Sequence, residues 1–281
     1  MRENIFDLTN IRTEISFKTF EQLRSILSFC YKNNLKKINI PCKNNLKKDF
    51  LLKSIRISRE EFPNIDIVPH FSIFHEYNKN RLNTLNSFIK FLYLVEKLGC
   101  KQVLLFSGSQ KRATLDASNT LSFLKENSSI TKGGLSIGVA FNPYLPSFLF
   151  EEEIIKLKKK LKSKLVKSIW FQFGTDCSLL ESRMEILKKI LSIDEIVNSN
   201  NSKINFFGSI LIPSKQFLAR FKYRPWKGVY CSHDFLESVD VAKNSVIQLL
   251  KAYKKYNIYP IIETDISTEY KLNSLRNILE L

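Results

Sequence analysis

Short segments rich in β-branched and aromatic residues recur along the chain, and longer segments with helical periodicity separate them. This alternation is the signature of repeated βα units, whose strands lie in a parallel sheet. The pattern predicts eight strands, over residues 12–16, 36–41, 65–72, 102–107, 135–141, 168–173, 204–212 and 258–263. Eight parallel strands close into a barrel, and a chain of 281 residues suits the roughly 250 residues that such a barrel needs.

Amphipathic patterns between the strands predict helices over residues 20–33, 46–61, 82–98, 116–126, 150–164, 178–193 and 238–255. An open doubly wound sheet also alternates strands and helices, but it requires a glycine-rich phosphate turn after its first strand. Residues 16–20 contain no glycine. The sequence therefore predicts an α/β protein with a single domain, a (β/α)8 TIM barrel over residues 1–281.

The formal net charge of +17 favours anionic partners in general. Many of the lysines fall in helix-like stretches, and between residues 156 and 167 they alternate with Leu157, Leu161 and Leu165. This spacing is typical of a solvated helix face over a buried stripe. Nucleic-acid binding is an alternative that rests on the charge and on one arginine- and aromatic-rich stretch, because no helix-turn-helix, RNP-like strand or finger pattern accompanies them.

No apolar run approaches the roughly 20 residues of a membrane-spanning helix, so we expect a soluble protein with no membrane partner. Residues 1–10 include Glu3 and Asp7 and resemble neither a secretory signal nor a transit peptide, which predicts a cytoplasmic location. The five cysteines form no CxxC pair. We therefore expect reduced, packed thiols and no metal site.

Polar residues stand at the predicted strand ends, which is where barrel enzymes hold their ligands. They are Glu14, His70, Ser72, Ser107, Gly108, Ser109, Asn142, Gln172, Asp176, Ser209, Glu263, Thr264 and Asp265. A basic and aromatic stretch, residues 213–234, follows the seventh strand and predicts a loop that covers the pocket. Its arginines and aromatic rings suit a flat ligand with carboxylates, so we predict that Arg220 and Phe221 contact the substrate. Alternatively, this loop clamps onto the barrel or makes a subunit contact in a homo-oligomer.

Six of these segments occur in an order that resembles the methylenetetrahydrofolate reductase family. The chain reads TEISFKT, VPHFSI, FSGS, GVAFNPY, WFQFGTD and FFGSILIPS, where that family has sequences close to FEFFPPKT, PHLTC, RGD, VAAYPE, TQFFFD and PGILP. The resemblance implies a barrel enzyme that uses FAD and NADH or NADPH to reduce methylenetetrahydrofolate to methyltetrahydrofolate. It places the protein in one-carbon metabolism and methionine biosynthesis, with a reduced folate as its partner.

The resemblance also implies roles for individual residues. Glu14 falls on the family's proton-donating glutamate, which needs an apolar surrounding to stay protonated, and Gln172 falls on its folate-contacting glutamine. The flavin side would include His70, the FSGS residues Ser107, Gly108 and Ser109, and Asn142, with Glu153 and Lys160 on one helix face toward the FAD sugar and pyrophosphate. Each assignment also has a purely structural alternative. Glu14 would be a strand-end glutamate that bonds loop amides, His70 a packed histidine, and the helix with Glu153 and Lys160 a charged surface helix.

The flavin side departs from the family pattern at several positions. Ser109 replaces the aspartate of RGD, Asn142 stands where a tyrosine is usual, and the paired prolines after the first strand are missing. Removing an anion beside a flavin would change its reactivity, because local charge tunes a bound cofactor. A barrel that binds folate without flavin is therefore a second hypothesis.

Overall fold

A computed structural model describes residues 5–42, 48–76, 80–107, 115–127, 134–193 and 204–279. Eight parallel strands form a closed barrel in which each strand pairs with its neighbour in sequence and the last pairs with the first. The strands are β1 (Arg12–Glu14), β2 (Lys37–Ile40), β3 (Asp66–Ser72), β4 (Gln102–Phe106), β5 (Ser136–Phe141), β6 (Val166–Phe171), β7 (Asn205–Ile210) and β8 (Ile258–Ile262). The predicted (β/α)8 barrel is confirmed.

Helices surround the barrel. They are α1 (Phe20–Lys32), α2 (Lys48–Glu61), α3 (Ile73–Glu76), α4 (Arg81–Lys97), α5 (Ala117–Asn127), α6 (Ser147–Leu161), α7 (Cys177–Ile193), α8 (Lys215–Tyr223), α9 (Val239–Tyr256) and α10 (Glu269–Leu279). The seven predicted helices are confirmed to within about three residues at each end. Hydroxyl N-caps fix several starts: Thr19 accepts from the Gln22 amide and Ser238 from the Val241 amide.

One prediction about the mouth of the barrel is wrong. Residues 213–234 were expected to form a loop, but α8 occupies the first part of this stretch. Ser214 caps the helix by accepting from the Phe217 amide at 3.1 Å, and Leu218 and Phe221 form its buried side. The abundance of basic residues hid this short amphipathic pattern. The sequence analysis also missed α3 and α10.

The barrel interior is filled by side chains that alternate inward along the strands. Val68, Leu104, Trp170, Phe207 and Ile261 form an apolar cluster there, separate from the larger core between barrel and helices. The Trp170 and Phe207 rings stack with centroids 4.2 Å apart. This cluster fills part of the barrel interior.

The helix surfaces follow the sequence pattern. Leu157 and Leu161 on α6 are buried while Lys158 and Lys159 are exposed, as predicted for a solvated face over an apolar stripe. Within the described residues, no helix has both the length and the apolar character needed to cross a membrane.

All five cysteines are free thiols in the structure. Cys30, Cys42 and Cys100 are buried, and Cys177 and Cys231 are partly buried. Burial raises the pKa of the Cys30, Cys100 and Cys231 thiols to about 12.

Candidate active site

A cavity of about 180 Å³ opens at the carboxyl-terminal ends of the strands, the end of a barrel at which active sites lie. Its polar lining consists of Glu14, Asn39, His70, Gln172, Ser209 and Glu263. Its apolar lining consists of Leu104, Phe106, Ala140, Trp170, Phe171 and Ile261. Asn39, His70 and Ser209 are buried, whereas the three longer acidic and amide side chains are half-buried. The cavity thus combines a hydrogen-bonding half with an aromatic and aliphatic half.

Two carboxylates enter this cavity from neighbouring strands. Glu14 ends β1, and Glu263 directly follows β8, one residue beyond the registered pair Thr13 and Ile262. Residues adjacent in a parallel register point to the same side of the sheet. The Ser209 hydroxyl donates to Glu263 Oε1 at 2.5 Å and orients that carboxylate. The ends of β1 and β8 therefore supply two acceptor groups to one small space.

The imidazole of His70 enters the cavity from β3. Its Nε2 lies 3.2 Å from Asn39 Nδ2, and Asn39 is the registered neighbour of Glu14 on β2. The His70 ring also makes edge contacts with Phe106 and Trp170, with centroids 6.1 and 6.5 Å away. Amide and aromatic neighbours thus hold the imidazole on two sides.

Beneath the cavity lies a buried arginine, Arg12, two residues before Glu14 on β1. Its Nε donates to Asn39 Oδ1 at 2.8 Å and its Nη1 to Asp66 Oδ2 at 2.6 Å, while Nη2 donates to the backbone oxygens of Ile38 and Asp66. The guanidinium carbon lies 6.0 Å from the ring centroids of both Trp170 and Phe207. Burial lowers the pKa of Arg12, and the ion pair with Asp66 opposes that shift.

Three residues predicted from the sequence line this cavity together: Glu14, His70 and Gln172. Ser209 and Glu263 were recognised as strand-end residues without a role, and the cavity includes both. No motif in the sequence indicated Asn39 or Arg12 as site residues. Alternation with Ile38 and Ile40 marks Asn39 as inward-facing, but short strands rich in lysine and asparagine made that signal weak.

Two other predicted residues make structural contacts at the barrel mouth and are not cavity-lining residues. Ser107 accepts a hydrogen bond from the Ala117 amide at 3.0 Å, which links the residue after β4 to the start of α5. Asn142 donates to the Gly228 carbonyl at 2.8 Å and accepts from the Tyr144 amide at 3.0 Å, which ties the segment after α8 to the end of β5. Gly108 and Ser109 lie outside the described residues.

Glu153 and Lys160 share one face of α6, as the spacing predicts, but this face packs on the barrel wall. Lys160 is buried, its Nζ donates to the Ala140 carbonyl at 2.8 Å, and its ammonium lies 4.0 Å from Glu153 Oε1. Burial lowers the pKa of Lys160, and Glu153 partly offsets that effect. Neither side chain lines the cavity.

The two predicted substrate contacts on α8 also lie apart from the cavity lining. Arg220 is exposed, and Phe221 is buried against Phe217 and Trp226, with ring centroids 5.9 and 6.0 Å away. These rings attach α8 to the rest of the segment. Phe221 therefore serves the packing of the helix in this structure.

The sequence matches no protein-family model and no curated protein. Solved structures similar to this chain include a 2,3-dimethylmalate lyase of the PEP mutase/isocitrate lyase superfamily, at TM-score 0.54 and 7% identity over 95% of this chain and 78% of that one. Another is dihydrodipicolinate synthase from Agrobacterium tumefaciens, at TM-score 0.51 and 10% identity over 89% and 80% of the two chains. At these identities the likeness shows the barrel fold.

The assignment to the methylenetetrahydrofolate reductase family is wrong, since no family model supports it and the similar structures above are a lyase and a synthase. Flavin-mediated hydride transfer, FAD, NADH or NADPH and a place in methionine biosynthesis are overturned with it. The six matching segments lie at or near predicted strand ends. Any eight-stranded barrel has its strand ends in this order and at similar spacing, so the order of the segments does not identify a family. The expected partners, among them a reduced folate and a second subunit, stay predictions.

Proposed function

We propose that the cavity is the active site of an enzyme that performs general acid–base catalysis on a small neutral or cationic molecule. The observation that carries this proposal is the convergence of Glu14, Glu263 and His70 on one cavity at the catalytic end of a barrel. Carboxylates and imidazoles are the side chains that most often transfer protons in enzymes. Their placement on rigid strand ends supports such a role.

The charges of the lining favour a substrate that is not an anion. Among the described residues, neither lysine nor arginine lines the cavity, whereas two glutamates do. Arg12 beneath the cavity donates to the side chains of Asn39 and Asp66 and to the backbone carbonyls of Ile38 and Asp66. An anionic ligand would meet two carboxylates without a compensating cation, and a ligand rich in N–H or O–H donors would be bound well.

The volume of the cavity and its aromatic wall further restrict the class of ligand that fits. A volume of about 180 Å³ is below the roughly 300–1,000 Å³ of sites that hold drug-sized molecules. Phe106 and Trp170 offer ring surfaces suited to an apolar portion or to a cationic group. A compact amine, amide or polyol with a short carbon skeleton fits this description.

Two neighbouring carboxylates give the site a base and an acid. Glu14 ends β1 and Glu263 follows the neighbouring strand β8, and two carboxyl groups at one site can divide the roles of base and acid. One glutamate then removes a proton from the substrate while the other delivers one, and the Gln172 amide binds polar substrate atoms. Lyase chemistry, which removes a proton and protonates a leaving group, is the first reaction class to test, and a lyase is among the proteins with this fold.

Proton transfer can be measured before the full reaction is known. A panel of small amines, amides, polyols and size-matched carboxylic acids is incubated with the protein in D2O, and NMR follows deuterium incorporation at carbon. We expect exchange with a neutral or cationic compound and a 10²–10⁴-fold slower rate in Glu14→Gln and Glu263→Gln.

Glu153→Gln is the matched control, because it removes a carboxylate that lies outside the cavity lining. Equal exchange rates in the wild type, Glu14→Gln and Glu263→Gln would contradict the assignment. Binding restricted to the carboxylic acids would contradict the proposed ligand class. The free state of all five cysteines supports the cytoplasm as the proposed location, since reducing compartments keep thiols unpaired.

A further inference from the structure

We propose that Arg12 and Asn39 form a positioning relay that holds neutral His70 in one tautomer, with the proton on Nδ1 and with Nε2 as an acceptor. This inference deepens the proposed function, because His70 belongs to the same cavity. It assigns roles to two buried polar residues, Arg12 and Asn39, that do not themselves perform the proposed proton transfer. The relay runs from the floor of the barrel to the cavity through three strands.

The first step is the fixed orientation of Arg12. Its guanidinium makes four hydrogen bonds, of which two go to the side chains of Asn39 and Asp66 and two to backbone carbonyls. Its side chain is 4% exposed, and rings of Trp170 and Phe207 flank it. A guanidinium with this many partners has no alternative arrangement that keeps its donors satisfied.

The second step is the orientation of the Asn39 amide. An arginine can only donate hydrogen bonds, so the Asn39 atom that faces Arg12 Nε at 2.8 Å must be the oxygen. The amide nitrogen then faces His70 Nε2 at 3.2 Å. Because this nitrogen can only donate, His70 Nε2 must accept, and the proton of the neutral ring must sit on Nδ1.

The third step concerns what His70 contributes to the site. With Nε2 as the acceptor, the N–H of the neutral ring is at Nδ1, and a neutral imidazole N–H is a donor of the kind that can polarise a substrate oxygen. The base and the acid of the proposed reaction are then Glu14 and Glu263, the carboxyl groups that share the cavity with His70. Arg12 and Asn39 act through the imidazole and are positioning residues.

The tautomer can be read directly by NMR on the full chain. The protein has three histidines, so a two-bond ¹H–¹⁵N correlation of uniformly labelled protein at pH 8 shows three imidazoles, and His70→Gln assigns the relevant one. We expect His70 to show a protonated Nδ1 and an unprotonated Nε2. His75 and His233, which are exposed, provide references in the same spectrum.

The Asn39→Asp variant replaces the amide donor that faces His70 Nε2 with a carboxylate acceptor of nearly the same shape. A carboxylate accepts from both Arg12 and the imidazole, so we expect the His70 proton to move to Nε2. Arg12→Met releases the amide to rotate, and we expect a mixture of tautomers in it. Circular dichroism and urea unfolding verify that each variant remains folded.

A protonated Nε2 in the wild-type protein would overturn the proposal without the need for any variant. A folded Asn39→Asp protein in which Nε2 stays unprotonated would overturn it as well. The measurement needs no substrate, so it is independent of the proposed function. An Nδ1-protonated His70 in a protein that exchanges no substrate protons would leave the relay standing and refute only the acid–base assignment.

Discussion

The Gly138→Ala substitution is expected to disturb the floor of the cavity from the opposite wall of the barrel. A methyl group at residue 138 would lie 2.7 Å from Ser168 Oγ and 2.8 Å from Trp170 Cδ1, and nearer still to the indole Nε1, whereas ordinary contacts begin at about 3.4 Å. The neighbouring groups must therefore move by at least about 0.7 Å. They are buried and hydrogen-bonded to each other at 2.7 Å, so this movement has a cost.

The magnitude follows from two contributions. Overpacking in a filled core costs about 1–3 kcal/mol, and separating the indole N–H from Ser168 adds about 1–3 kcal/mol if that donor finds no new partner. Reduced freedom of the unfolded chain returns about 0.4–1 kcal/mol. We expect a net loss of about 1–6 kcal/mol in the free energy of unfolding. We also expect weaker ligand binding, because Trp170 lines the cavity.

Urea unfolding followed by circular dichroism measures this effect in Gly138→Ala, Trp170→Leu and the double variant. Leucine can turn away from residue 138, so the double variant should be more stable than the sum of the single losses implies, by at least about 1 kcal/mol. Strictly additive losses, or a Gly138→Ala protein as stable as wild type, would refute the reasoning that the glycine exists to admit the indole.

Three further results are expected. Burial lowers the pKa of Lys160 in the folded state, so between that pKa and the unfolded value of about 10.4 the unfolded state binds more protons than the folded state. The free energy of unfolding, relative to that of Lys160→Met, should therefore rise with pH across this window. Urea unfolding of both proteins at pH 7 and pH 10 tests this, and a pH-independent difference contradicts it. Ser214→Ala should lower stability by about 1 kcal/mol through loss of the α8 cap, which an unchanged unfolding midpoint would disprove. Cys30 and Cys100, whose pKa burial raises to about 12, should react with iodoacetamide at pH 8 only after unfolding; mass spectrometry of the native protein showing rapid labelling of either thiol argues against this.

Much of the fold was predictable because its signals are local. Strand and helix bounds follow from apolar periodicity. The strand ends of a barrel meet at one face, which is why Glu14, His70 and Gln172, predicted as strand-end residues, line one cavity. The family assignment failed for the same reason. Short strand-end motifs report barrel architecture, and architecture is shared by enzymes of unrelated chemistry.

Other features depend on neighbours that are distant in the chain. Asn39 looks like an ordinary strand asparagine until barrel closure places it between Arg12 and His70, residues 27 positions before it and 31 positions after it. Lys160 reads as one more lysine on a charged helix, yet packing on the Ala140 carbonyl buries it. No local pattern predicts such contacts, because each requires elements far apart in sequence to be side by side.

The sequence by itself determined the barrel, the order of its strands and the end at which polar groups collect, since these follow from periodicities of two and 3.6 residues. The tertiary structure alone decided which polar groups share the cavity, which charges are buried and which hydrogen-bond partner each one has. The physical reason is that a side chain's charge, tautomer and role depend on its spatial neighbours, and closing the barrel is what brings those neighbours together.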